Sequence, residues 1–146
     1  KSLTFEGTID GSFDMKHLPT EQALGLKVGA QIMFVNNDTL GRWVNGSIGQ
    51  VTKLNDETVN VKISNGEEVE VFPHTWDLYK YYFDADSCSL GQETAGSFTQ
   101  IPIRLAWAIT IHKSQGKTFD QVKIDLGRGS FASGQTYVAL IRCRTF

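Results

Sequence analysis

Leu105-Ala106-Trp107-Ala108-Ile109-Thr110-Ile111-His112-Lys113-Ser114-Gln115-Gly116-Lys117-Thr118-Phe119 is the stretch whose reading decides the fold. Its apolar run, 105–111, is interrupted only by Thr110 and predicts a buried strand, with a polar cluster, 112–118, at its end. In open α/β sheets ligands sit beyond the carboxyl ends of the strands, which makes that cluster the first candidate site. A second cluster lies downstream. Ser133 as N-cap opens a predicted helix over 134–144, on which Gln135 and Arg142 lie two turns apart and share a face. Donors at a strand end, beside a helix presenting Gln and Arg, suit an anion.

Outward from this stretch, 121–126 predicts another strand, closing at Gly127-Arg128-Gly129-Ser130. Upstream, a turn at Gly29 feeds 31–35, which is apolar on consecutive positions as in a strand covered on both faces. The intervening segment has a different pattern. After a strand over 50–54, Val59, Val61 and Ile63 alternate with Asn60 and Lys62, Asn65-Gly66 signals a hairpin, and Val69 and Val71 alternate on the return. Short strands punctuated by turns predict a small antiparallel β-barrel with an acidic outer face. Trp76, Tyr79, Tyr81, Tyr82 and Phe83 are assigned to its packing rather than to base stacking, since only Lys80 lies among them and acids flank them. Residues 91–97 read as a loop, and Pro102 disfavours a place inside a ladder. The segment 84–87 reads as a solvated turn, because the glycine and distal glutamate of a calcium loop are missing. Residues 1–23 are weakly patterned, with one short strand over 4–9, and His17 reads as a surface residue.

The net charge of −2 hides an asymmetry. Residues 1–54 hold five bases and five acids; 55–100 hold two bases against nine acids, net −7; 101–146 hold seven bases against two acids, net +5. Only the last segment has the sign for phosphates. Cys88 and Cys143 show neither metal-ligand spacing nor a disulfide framework, which favours a reducing, intracellular, cytoplasmic setting. No apolar run approaches the ~18 residues of a membrane span, and no metal site is expected. Gly116-Lys117-Thr118 imitates the end of a phosphate-binding loop, but that motif needs a glycine where Ile111 stands.

Ala106-Trp107-Ala108-Ile109-Thr110-Ile111-His112-Lys113-Ser114-Gln115-Gly116, followed by Gly134-Gln135-Thr136-Tyr137-Val138-Ala139-Leu140-Ile141-Arg142-Cys143-Arg144-Thr145, resembles motifs V and VI of the PIF and RecD-like DNA helicases of superfamily one. Leu26-Lys27-Val28-Gly29-Ala30-Gln31, a strand, and then Asn37-Asp38 resemble the same family. The resemblance implies an α/β fold: a partial second RecA-like domain with a parallel sheet, made of 1–44 and 101–146, carrying an inserted Src-homology-three-like barrel at 45–100. It implies that Thr110, His112, Lys113, Ser114 and Gln115 grip single-stranded DNA. Gly116, Gln135 and Arg142 would serve ATP, with Arg142 the catalytic arginine finger. The parent would be an ATP-dependent DNA helicase, moving 5′ to 3′ on single-stranded and duplex DNA.

The phosphate-binding loop and the acid that holds Mg2+ belong, in such enzymes, to an N-terminal motor domain that these residues do not include. The chain begins at Lys1 and stops at Phe146 behind its second motif, so it is expected to be a catalytically inert piece of a larger protein. One departure from the family pattern is Ile141, where a serine is usual. The competing expectation is a non-catalytic small-barrel module that binds protein or nucleic acid.

Overall fold

A computed structural model of the chain describes residues 2–84, 88–119, 121–129 and 132–144, Asp84 in its backbone alone. Two compact units divide it, 1–107 and 108–146. The first is built from strands: β1 (Ser2–Glu6), β2 (Thr8–Gly11), β3 (Ala23–Lys27), β4 (Gln31–Phe34), β5 (Ile48–Leu54), β6 (Val59–Ile63), β7 (Glu68–Val71), β8 (His74–Asp84), β9 (Ser89–Gln100) and β10 (Ile103–Leu105). They form a five-stranded sheet in the order β10-β4-β5-β6-β7, a pair β1-β3, and a three-stranded sheet β2-β9-β8.

The alternation in β6 and β7 is realised as expected. Val59, Val61, Val69 and Val71 point into the core while Lys62, Glu68 and Glu70 face solvent, and Gly66 turns the hairpin at φ +93°. In β4, Ile32, Met33 and Phe34 are all buried, which fits a strand covered on both faces. Leu24 and Leu26 of β3 and Phe5 of β1 join the same core. Each such side chain contributes about 1.5–3 kcal/mol by leaving water.

Several sequence expectations are corrected. The single strand expected over 4–9 is two strands split at Gly7, where β1 pairs with β3 and β2 pairs with β9. A Cβ at Gly7 would lie 2.7 Å from the Phe98 ring, so only glycine lets the chain cross there. The supposed loop 91–97 is part of β9, paired with β8 around an irregularity at Leu78/Tyr79. The aromatic cluster is not core filling. Trp76 stacks on Phe98, but Tyr79, Tyr81, Tyr82 and Phe83 are 44–70% exposed on a two-stranded ribbon. Pro102 does interrupt the ladder, between β9 and β10. Of the turn expected at 84–87, Ala85, Asp86 and Ser87 lie outside the described residues, as do Asp120, Ser130 and Thr145.

The buried strand expected over 105–111 is the largest correction. β10 ends at Leu105 because its antiparallel partner β4 runs out: Leu105 pairs with Ile32, and Ala106 donates to the Gln31 carbonyl at 2.9 Å, the first residue of β4. Beyond it no strand remains to receive the chain, and Trp107 is 70% exposed. Residues 121–126, though apolar at alternate positions, form no strand either, since β-propensity is expressed only against a neighbouring strand. The parallel sheet is likewise not seen among the described residues: all pairings of named strands are antiparallel, and the one parallel contact is an isolated bridge, Phe119 to Cys143. β4 and β10, expected in the α/β part, share a sheet with β5 from the expected insertion. What is seen is a mostly-sheet fold with few helices.

Candidate functional site

All eight sequence-predicted site residues fall in the second unit. The donor cluster is a 3-10 turn, His112–Ser114, closed by Ser114 N donating to the Thr110 and Ile111 carbonyls. Two members of the cluster hold the turn itself. Ser114 is buried and its Oγ donates to the Ile111 carbonyl at 2.6 Å; Thr110 Oγ1 accepts from Lys113 N at 3.3 Å. With its proton committed to the backbone, Ser114 braces the turn, whereas His112, Lys113 and Gln115 present their side chains to solvent. Gly116 leads the chain out at φ +74°; nothing stands within 4 Å of where its Cβ would be, so handedness rather than space selects glycine.

The helix is shorter than the sequence suggests. α1 spans Gln135–Leu140, and its N-cap is Gly134 at φ +78° without a side-chain cap, instead of Ser133. Its C-terminal end tightens: Arg142 N reaches the Ala139 carbonyl and Cys143 N that of Leu140, three residues back rather than four. The chain then straightens to meet Phe119. Arg142 therefore lies two residues past the end of α1, and the face it was expected to share with Gln135 is not carried by continuous helix.

What the fold does bring together is the exit of the donor turn and Arg142. Arg142 is partly buried; its Nε donates to the Val138 carbonyl at 3.2 Å and its Nη1 lies 3.5 Å from the Lys117 carbonyl. Lys117, one residue past Gly116, is where sequence reasoning fell short. Gly-Lys-Thr reads in the sequence only as an imitation phosphate loop, whereas the structure puts Lys117 directly after a left-handed glycine at the exit of the turn. Burial pushes its ammonium below the ordinary lysine value, since leaving water disfavours the charged form. A guanidinium, a partly desolvated ammonium and a solvent-facing set of imidazole, amide and ammonium donors can hold phosphate oxygens. Among the described residues no group of three or more His, Cys, Asp or Glu could hold a metal ion, and no helix is long and apolar enough to cross a membrane.

No family model matches the chain. The ATP-dependent DNA helicase Pif1 of Bdellovibrio bacteriovorus is 38% identical over 130 residues, 89% of this chain and 27% of that protein. Human ATP-dependent DNA helicase PIF1 is 41% identical over 134 residues, 87% of this chain and 19% of that protein. Unliganded Pif1 from Bacteroides sp superposes with a TM-score of 0.85 at 40% identity, over 99% of this chain and 33% of that one. Bacteroides Pif1 bound to ssDNA and in complex with ADP-AlF4 superposes over the same shares and at the same identity, with TM-scores of 0.84 and 0.82. The mostly-sheet fold with few helices thus matches a helicase domain. The chain is homologous to Pif1 helicases along most of its own length, and it spans between 19% and 33% of the length of these relatives.

Proposed function

We propose that the chain is part of the second motor domain of an ATP-dependent DNA helicase moving 5′ to 3′. In this reading 1–44 and 101–146 belong to a RecA-like domain and 45–100 to a small Src-homology-three-like barrel inserted in it. The donor turn, Thr110, His112, Lys113, Ser114 and Gln115, holds the backbone of single-stranded DNA without reading sequence, with His112, Lys113 and Gln115 offering the exposed side chains and Thr110 and Ser114 bracing the turn. Gly116, Gln135 and Arg142 face ATP, where the guanidinium stabilises charge developing on the transferred phosphoryl group. The phosphate-binding loop and the Mg2+-holding acid come from a preceding motor domain, the partner of this segment, so these 146 residues hydrolyse nothing by themselves.

The observation that carries the reading is the junction of Lys117 and Arg142. A turn suited to a nucleic-acid backbone ends where a guanidinium suited to nucleotide lies, with Arg142 Nη1 3.5 Å from the Lys117 carbonyl. The Bacteroides Pif1 complexes with ssDNA and with ADP-AlF4 lend support. Arg142→Ala in the full-length protein tests it. Steady-state ATP turnover is expected to fall by about 10³–10⁵ with oligonucleotide affinity unchanged; unaltered turnover removes Arg142 from the chemistry. A second reading, a protein-binding module, is favoured by one feature alone, the exposed Tyr79, Tyr81 and Phe83 on the β8-β9 ribbon.

A further inference from the structure

The ribbon of β8 and β9 has two unlike faces. β2 pairs with β9 only over 96–99, so beyond it 79–83 and 90–94 pair with each other and with no other named strand. The irregularity at Leu78/Tyr79 leaves the extra residue, Ala95, on β9, and the alternation along β8 runs through it. On one face Trp76 stacks on Phe98, and the Tyr82 ring lies over Gly91, where an added Cβ would come within 2.5 Å of it. The other face carries Asp77, Tyr79, Tyr81 and Phe83 at alternate positions, with Leu90 opposite Phe83. Tyr79, Tyr81, Phe83 and Leu90 are all exposed, and a two-stranded ribbon is marginal in water unless something covers its apolar side.

Charge decides what fits there. This face of β8, and the β9 positions opposite it, hold no Lys or Arg. Asp77 accepts from the Tyr79 hydroxyl at 3.3 Å, and its charge pushes the Tyr79 phenol above the ordinary tyrosine value. The segment around it, 55–100, is net −7. Such a face repels phosphates and anionic headgroups, and a second copy would set like charge against it. Cations are drawn to it by the carboxylate and by the electron-rich ring faces. The chain makes that contact elsewhere, where the Arg42 guanidinium lies 4.6 Å from the centre of the Trp43 ring. Geometry narrows the partner further. The three rings follow one another at about 7 Å, the repeat of side chains on one face of any extended segment. In the order β2-β9-β8, β8 stands at the sheet edge, where an added strand pairs backbone to backbone and sets its alternate side chains beside those rings.

We propose that this face binds a basic, extended segment of a partner protein, whose cationic side chains, two residues apart, lie beside Tyr79, Tyr81 and Phe83. All of these residues belong to the first unit, so the inference holds whether or not the turn at 110–116 grips DNA.

The test uses the full-length protein and three fluorescein-labelled octapeptides followed by anisotropy: arginine alternating with valine, the same residues in two blocks, and glutamate alternating with valine. The alternating arginine peptide is expected to bind more tightly than the blocked one, and the glutamate peptide not at all. Tyr81→Thr and Phe83→Thr should each weaken binding about three- to thirtyfold with the thermal midpoint unchanged, since both rings stand in water and threonine suits a strand. Asp77→Asn should weaken it and make it less sensitive to salt. Glu68→Gln, exposed on β7 in the other sheet, should leave it unaltered. Absence of binding by the alternating peptide, equal binding of the blocked peptide, or equal weakening by Glu68→Gln and Tyr81→Thr overturns the proposal. So does a loss of oligothymidylate affinity in Tyr81→Thr, which would make the face a base platform, or the loss of a concentration-dependent dimer in sedimentation, which would make it a contact between copies.

Discussion

The Phe119 amide donates to the Arg142 carbonyl at 2.8 Å, and the Arg144 amide returns to the Phe119 carbonyl at 3.2 Å. These two main-chain bonds fasten the segment leaving the donor turn to the segment leaving α1, forming the isolated parallel bridge of the second unit. This fastening is made by backbone and does not involve the exposed side chains of the donor turn.

Lys113→Ala illustrates the consequence. Its side chain is exposed and only its amide serves the turn, so the thermal midpoint is expected to stay unchanged. Affinity for single strands should drop evenly across sequences, and the slope of log K against log salt should become shallower by about 0.7, the value of one phosphate contact on a single strand. A salt titration of oligonucleotide binding measures this; an unchanged slope means that Lys113 touches no phosphate.

Acid sensitivity should centre on Asp38. Arg42 Nε and Nη2 donate to its two carboxylate oxygens at 2.7 and 2.8 Å, and the guanidinium lies over the Trp43 ring at 4.6 Å. Hydrogen bonds from the Arg42 side chain lower the Asp38 pKa from 3.8 to about 2. A carboxylate with a lowered folded value stabilises the fold fully above its unfolded value, so this contribution is present at neutral pH and disappears between pH 4 and about 2. Denaturant midpoints measured across that range should decline, and Asp38→Asn should flatten the decline. The same variant should cost roughly 1–2 kcal/mol at pH 7 through the weakened Arg42 contact.

Gly49→Ala probes the β5-β6 contact. A Cβ at Gly49 would lie 3.0 Å from the Lys62 carbonyl oxygen and closer still to a Val61 methyl, both in the strand paired with it. Backbone cannot yield as a flexible side chain can, so destabilisation of about 1–3 kcal/mol is expected. In urea the midpoint should fall with the m-value unchanged; an unaltered midpoint would mean that the two strands separate easily.

Much of the first unit was legible because its rules are local. Val59, Val61 and Ile63 alternate, Asn65-Gly66 turns the chain, and consecutive apolar residues at 32–34 require cover on both faces. The donor turn and Arg142 were also legible as residue types in order. Less visible was β3, since Leu24-Gly25-Leu26 has the alternation of a strand but reads as the approach to a turn unless β1 is known to lie beside it.

The sequence by itself determined which side chains are available: a basic last segment, a cluster of donors, an arginine on a predicted helix, and hydrophobic positions of period two. Only the tertiary structure decided where strands end and what each donor does. Whether 106–111 extends β10 depends on the length of β4, which stops at Gln31, and whether the Ser114 hydroxyl faces a ligand depends on the Ile111 carbonyl 2.6 Å away. Both are questions of partners distant or turned back in space. Strand pairing and hydrogen-bond satisfaction are properties of pairs of groups, and a linear sequence names the groups without naming the pairs.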